Sequence, residues 1–151
     1  MEALEILNDR VAHELLASRE PARLAYTWWD GTPRVVPIAF YWTGTEVVVG
    51  SPAKAPKVKV LEARPEVALT IDGTSFPFHV LMVRGTASVQ RMEEVPREYA
   101  LACERYFGSE MGREWVSQLE ARGLTSWARI AVTPREVRIL DFETRFPSAI
   151  S

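Results

Sequence analysis

Short β-rich runs separated by turn residues dominate the chain after Pro21 and set its fold class. Runs at residues 24–29, 35–42 and 46–50 are joined by Asp-Gly-Thr-Pro and Thr-Gly-Thr, two sequences rich in turn formers. Three such strands with short connections predict an antiparallel meander. Further runs at 67–71, 78–90, 127–132 and 137–141 raise the count to six or seven, with a hairpin turn expected at 133–136.

Helical patterns flank these strands. Leu4, Leu7, Val11 and Leu15 recur at steps of three and four and predict one amphipathic helix to about Ser18. Proline and glycine positions predict further helices at 56–64, 96–107 and 110–122. With 151 residues and 47% hydrophobic content, we expect one domain over 1–151. The predicted class is mainly β with peripheral helices, a closed or split β-barrel.

Several function classes have little support in the composition. A net charge of −2 argues against a nucleic-acid partner, and no charge-free stretch is long enough to span a membrane, so we expect a cytoplasmic protein. With one cysteine and two histidines, no metal site is expected.

Cys103 falls on a predicted buried helix face, and His79 is expected to be structural rather than catalytic. Trp28, Trp29, Tyr41 and Trp42 concentrate aromatic area on two adjacent strands. Such residues mostly belong to a core or an interface, and an aromatic groove would also suit a planar ring.

All three lysines of the chain lie within six positions, whereas its fifteen arginines are spread widely. Lys54, Lys57 and Lys59 form this group, and no acidic residue occurs between Val47 and Leu61. Pro56 is placed to begin a helix, whose free N–H groups favour an anion, and Ser51 offers a hydroxyl just before it. The segment is either a solvated surface loop or a holder for a phosphate group.

The order of several motifs resembles the pyridoxamine 5′-phosphate oxidase-like family of flavin-binding split barrels. The motifs are VVPIAFYW (residues 35–42), VVVGSPAKAPK (47–57), RPEVALTID (64–72), LMVRGTA (81–87) and ARIAVTPREVR (128–138). Each motif is loose, but their order and spacing cover nearly the whole chain. The resemblance implies a homodimer with two cofactor sites at the subunit interface, and excess aromatic residues also favour a dimer.

The resemblance also implies which residues hold FMN. The strand from Arg34 to Ile38 would face the isoalloxazine ring, Ser51 and Pro52 would follow the ribityl chain, and Lys57 would reach the phosphate. The predicted cofactor site comprises Arg34, Val35, Val36, Pro37, Ile38, Ser51, Pro52, Lys54, Pro56, Lys57 and Val58, with Trp127 expected near the partner's cofactor.

The implied activity is hydride transfer to or from a small organic substrate by a flavin-dependent oxidoreductase, with no catalytic residue identified. The chain is shorter than the vitamin-processing oxidases and lacks their arginine- and histidine-bearing C-terminal segment, so it looks closer to small reductases of the same fold. Two alternatives stay open: a deazaflavin-dependent reductase using the 8-hydroxy-deazaflavin cofactor, and a non-catalytic module that binds flavin or haem.

Overall fold

A computed structural model describes residues 2–145. Two short helices come first, α1 (Glu2–Ile6) and α2 (Arg10–Leu16), followed by strands β1 (Ala22–Thr27), β2 (Pro33–Ile38), β3 (Tyr41–Trp42) and β4 (Val47–Pro52). Helix α3 (Pro56–Ala63) precedes β5 (Glu66–Asp72) and β6 (His79–Met92). A helical pair, α4 (Arg97–Phe107) and α5 (Ser109–Ala121), leads to the last strand, β7 (Trp127–Asp141).

All seven strands form one antiparallel sheet in the order β2-β1-β5-β6-β7-β4-β3. This confirms the predicted mainly β fold with peripheral helices, a split barrel. The expected meander is wrong, because residues 35–42 are not one strand. The chain leaves β2 at one edge of the sheet and, through Ala39 and the buried Phe40, enters β3 at the opposite edge.

The hairpin predicted at residues 133–136 is also wrong. β7 is one long strand that pairs with β6 along its whole length, with a bulge where Arg84 pairs with Glu136 and Gly85 with Pro134. A Cβ atom on Gly85 would lie 2.3 Å from the carbonyl oxygen of Thr133, so the close approach of the strands there requires glycine. Proline and glycine signals therefore marked a bulge and not a reversal of the chain.

The N-terminal helix predicted to run to Ser18 is interrupted at Asn8 and Asp9. The Asp9 carboxylate accepts a hydrogen bond of 2.9 Å from the backbone N–H of Val11 and caps α2, which explains the break. Leu7, Val11 and Leu15 are buried as predicted, but Leu4 is exposed. Both helices pack against β7, and α2 also contacts β5 and β6.

The core lies on the inward face of the sheet, and helices α1 to α4 pack against its strands. Its side chains alternate along the strands with residues of the outward face, as expected for a half-buried sheet. The largest fully buried core side chains include Leu7, Leu24, Phe40, Leu61, Leu69, Ile71, Leu81 and Ile130.

Candidate functional site

The segment from Ser51 to Lys59 forms the corner between β4 and α3. Pro56 occupies the first turn of α3, and Ala55 precedes it without a side-chain cap. Val58 is buried with Val60 and Leu61, which fixes the helix on the barrel. The first turn of α3 is therefore held in place while its N-terminal N–H groups receive no capping side chain.

The three lysines differ in their surroundings. Lys54 and Lys59 are exposed, whereas Lys57 is half-buried, and burial lowers the pKa of its ammonium group. Within residues 2–145, Lys57 makes no ion pair with a carboxylate. The chain thus places a partly desolvated cation in the first turn of a helix without a carboxylate beside it.

Ser51 lies deeper than its predicted role requires. The residue is only 1% exposed, and it shares the inward face of β4 with Val47 and Val49. Its hydroxyl donates a hydrogen bond of 3.2 Å to the carbonyl oxygen of Pro52, which is exposed. The contacts predicted for Ser51 and Pro52 with a ribityl chain stay predictions.

β2 is an edge strand whose side chains alternate between the core and the outward face. Val36 and Ile38 pack against the core, whereas Val35 is 68% exposed and Pro37 is exposed. Arg34 donates to Thr32 Oγ1 at 2.5 Å, and its guanidinium carbon lies 5.5 Å from the centroid of the Trp28 ring. Apolar side chains therefore project from the strand predicted to face the ring.

The outward face continues from β2 across the sheet as a row of paired residues. Val35 pairs with Ala25, Ala25 with Ala68, and Ala68 with Arg84. The small side chains of Ala25 and Ala68 leave a shallow trough between Val35 and Arg84, with Glu66 along it. This trough lies beside the strand that is predicted to face the ring.

Arg64, which follows α3, connects this helix to the hairpin between β1 and β2. Its guanidinium donates to the carbonyl oxygens of Trp28 and Trp29 and lies 6.0 Å from the centroid of the Trp29 ring. Sequence reasoning missed Arg64, because its partners lie 36 and 35 positions away and no local pattern relates them. The same contact ties the lysine-bearing helix to the turn that begins β2.

Trp127 is fully buried within the single chain. Its ring centroid lies 5.0 Å from that of Tyr99, and its indole N–H donates to the carbonyl oxygen of Leu124 at 3.2 Å. Its strand position opposite Pro52 places its backbone beside the candidate corner. The predicted contact with a partner's cofactor stays a prediction. Because the indole of Trp127 is buried, residues around it would have to make that contact.

The remaining candidates lie in different places. Trp28, Tyr41 and Trp42 are half-buried, and Trp29 is 48% exposed. Cys103 is buried, which confirms its predicted position on a buried helix face, and burial raises the pKa of its thiol. His79 is half-buried at the start of β6, among carboxylates.

None of the helices among residues 2–145 is both long and apolar enough to cross a membrane. No curated protein is recognisably similar to the sequence. Solved structures share the fold. A conserved hypothetical protein from Mycobacterium tuberculosis matches with a TM-score of 0.69 and 22% identity, covering 86% of this chain and 82% of that chain. An F420 reductase matches with a TM-score of 0.64 and 21% identity, covering 83% of this chain and 94% of that chain.

A FAD-binding protein from Mesorhizobium loti also matches, with a TM-score of 0.56, 18% identity, and coverage of 84% of this chain and 87% of that chain. Identities this low show the shared fold alone. The family model for pyridoxamine 5′-phosphate oxidase, in contrast, matches the sequence itself over residues 9–141. That range contains all seven strands and the corner between β4 and α3. The chain therefore belongs to the pyridoxamine 5′-phosphate oxidase family.

Proposed function

We propose that the protein is an FMN-dependent oxidoreductase that acts on a small organic substrate as a homodimer. The observation that carries this proposal is the position of Lys57, a half-buried cation in the first turn of α3 with no carboxylate partner among the described residues. A half-buried ammonium without a counterion is unfavourable unless an anion binds to it.

A phosphate monoester fits this position on two grounds. The ammonium of Lys57 supplies a point charge, and the uncapped start of α3 adds N–H donors and partial positive charge. Neither Lys54 nor Lys59 is desolvated in the same way, since both are exposed. We therefore assign the phosphate to Lys57 and the helix start, with Ser51 shaping the corner beneath them.

The flavin ring is assigned to β2. Val35 and Pro37 project outward and provide an apolar surface, and no other strand among residues 2–145 pairs with the outer side of this edge strand, which can therefore bond to the polar edge of a ring. Arg34 adds positive charge to the same strand, but it alternates onto the face of Val36 and Ile38, and Thr32 and Trp28 already engage its guanidinium. Arg64 holds this hairpin against α3 and so sets the position of β2 relative to the phosphate corner.

A bound flavin supplies the hydride-transfer chemistry. The chain's own residues would bind and orient it: Lys57 neutralises the phosphate, and Val35 and Pro37 exclude water from one side of the ring. A second copy seated on the trough beside β2 would enclose the other side. The small side chains of Ala25 and Ala68 make room for such a partner.

The test compares FMN with riboflavin, which has the same ring but no phosphate. Purified wild-type protein should bind FMN more tightly than riboflavin. Lys57→Gln should weaken FMN binding about 10- to 100-fold, the loss typical of a charge-assisted hydrogen bond, and should leave riboflavin affinity nearly unchanged. Fluorescence quenching of the flavin measures both affinities on the same samples.

Lys54→Gln and Lys59→Gln are the matched controls, because they remove the same charge from exposed positions of the same segment. Equal losses in all three variants would mean that only the general charge of the loop matters. An equal loss of riboflavin and FMN affinity in Lys57→Gln would contradict the phosphate assignment. NAD(P)H oxidation by the FMN-loaded protein then distinguishes an enzyme from a module that only binds flavin.

A deazaflavin-dependent reductase is the second candidate. The shared fold with a structure named F420 reductase favours it, at a TM-score of 0.64 over 83% of this chain. Both cofactors carry a phosphate, so Lys57 does not distinguish them. Parallel titration with FMN and with the 8-hydroxy-deazaflavin cofactor distinguishes the two. The physiological cofactor should bind at micromolar concentration or below, and the other cofactor should bind more weakly.

A further inference from the structure

Three side chains of metal-ligating types meet at the end of the β6–β7 pair that is opposite the corner between β4 and α3. His79 begins β6 and pairs with Asp141, the last residue of β7, and Glu143 follows in the next turn. The other end of β6, Met92, pairs with Trp127 beside the candidate corner. Since β6 has 14 residues, its two ends lie about 40 Å apart along the strand at the usual rise per residue.

The imidazole of His79 lies within ion-pair distance of two carboxylates but forms a hydrogen bond of good geometry with neither. Its Nε2 atom lies 3.2 Å from Glu143 Oε2 and 3.3 Å from Asp141 Oδ1. Nevertheless, Nε2 is buried and has no hydrogen-bond partner, and the side chain as a whole is only 17% exposed. A buried nitrogen without a partner is unfavourable, and such an atom calls for a ligand.

The two separations between His79 Nε2 and the carboxylate oxygens fit a shared metal ion. Zn²⁺ binds nitrogen and oxygen ligands at about 2.0–2.2 Å, which places neighbouring ligand atoms about 3.0–3.5 Å apart in tetrahedral or octahedral geometry. One ligand atom from each of His79, Asp141 and Glu143 lies within 4.8 Å of the others. The Glu143 side chain is 58% exposed, which leaves an entry path for an ion and room for water ligands.

The surrounding groups hold Asp141 in place and set the charge around His79. Asp141 is buried, and its Oδ1 accepts hydrogen bonds from the backbone N–H groups of Glu143 and Thr144 at 2.9 and 3.0 Å. On the other side of the imidazole ring from Asp141, the Oε2 atom of Glu14 in α2 lies 3.8 Å from His79 Nδ1. The Glu14 carboxylate places negative charge on the Nδ1 side of the ring, at a distance too long for a hydrogen bond.

We propose that His79, Asp141 and Glu143 bind a divalent first-row transition metal ion, represented by Zn²⁺, which ties the end of the β6–β7 pair to the turn after β7. The imidazole ligand favours zinc over Mg²⁺ or Ca²⁺, which prefer oxygen ligands only. This proposal departs from the sequence expectation of no metal site, which considered cysteines and histidines and not the carboxylates that the fold brings beside His79.

The test uses the full chain, treated with chelator and dialysed, with any affinity tag removed. Calorimetric titration with Zn²⁺ at neutral pH should show one site per chain at micromolar dissociation constant or below, and Zn²⁺ should raise the melting temperature. Mg²⁺ should do neither. His79→Gln and Glu143→Gln should each weaken Zn²⁺ binding at least tenfold. Glu143 lies in an exposed turn, so its replacement is not expected to disturb folding.

His13→Gln is the matched control, because His13 is the other histidine of the chain and is exposed on α2. It should keep wild-type Zn²⁺ affinity. Equal weakening by His13→Gln and His79→Gln, or wild-type Zn²⁺ affinity in Glu143→Gln, would overturn the proposal. A melting temperature that depends on pH but not on Zn²⁺ would also overturn the proposal, because His79 would then act only as an ion-pair partner. FMN binding by the same variants reports on the cofactor proposal separately.

Discussion

Arg64 donates a hydrogen bond of 2.7 Å from Nη1 to the backbone carbonyl oxygen of Trp28. Its Nη2 donates at 2.9 Å to the next carbonyl, that of Trp29. A single side chain at the end of α3 thereby satisfies two carbonyl groups of the β1–β2 turn. The relative position of the proposed phosphate helix and the proposed ring strand depends on this contact.

Arg64→Ala should therefore lower both stability and cofactor affinity. Two hydrogen bonds from a charged donor are lost, and we expect the free energy of unfolding to fall by about 1–3 kcal/mol. FMN and riboflavin binding should weaken together, because the ring strand and not the phosphate contact is displaced. Urea denaturation and fluorescence titration measure the two effects. Arg19→Ala, which removes an exposed arginine, is the control.

Gly50→Ala should destabilise the packing of α4 on β4. A Cβ atom at Gly50 would lie 2.7 Å from Cβ and 2.9 Å from Cδ1 of Tyr99, so the helix would have to move. Overpacking of this kind costs about 1–3 kcal/mol. Gly73→Ala is a suitable comparison, since its nearest neighbours lie 3.9 Å from the added atom. Equal unfolding midpoints for the two variants would contradict the predicted close contact.

The pair formed by Glu98 and Arg129 should contribute to stability in a pH-dependent way. Arg129 donates to both carboxylate oxygens, at 3.1 and 2.8 Å, and this hydrogen bonding lowers the pKa of Glu98 from its usual 4.5. A lowered pKa in the folded state means that the contribution is complete above about pH 4.5 and is lost as the pH falls through the folded-state pKa.

Glu98→Gln should therefore lower the free energy of unfolding at pH 7 by about 1–2 kcal/mol, and its difference from wild type should shrink as the pH falls below 4.5. Denaturation midpoints between pH 3 and pH 7 provide the measurement. Glu62→Gln breaks a similar two-point contact with Arg91 at an exposed position. Little change is expected there, because solvent screens exposed pairs.

Ala68→Arg should prevent dimer formation. Ala68 lies in the middle of the outward row between Ala25 and Arg84, where a long charged side chain would fill the trough and repel a partner. Light scattering at micromolar concentration should give a dimer mass for wild type and a monomer mass for the variant. Ala121→Arg, at the exposed end of α5, should stay dimeric. A monomeric wild type would contradict the proposed homodimer.

Much of this architecture could be read from local patterns. β-rich runs, turn residues and helix signals act over a few neighbours, so they predicted the strands, the start of α3 at Pro56 and the mainly β class. The order of the motifs also identified the family. The cluster of lysines was visible because charge is a property of the residues themselves.

Tertiary structure decided which of these features come together. The crossing from β2 to β3 at Phe40 and the bulge at Gly85 depend on sheet closure and on the approach of a distant strand, which local propensity does not encode. The difference between Lys57 and its two neighbours arises from desolvation against the packed barrel. Likewise, His79 meets Asp141 only because β6 and β7 pair in register over their full length.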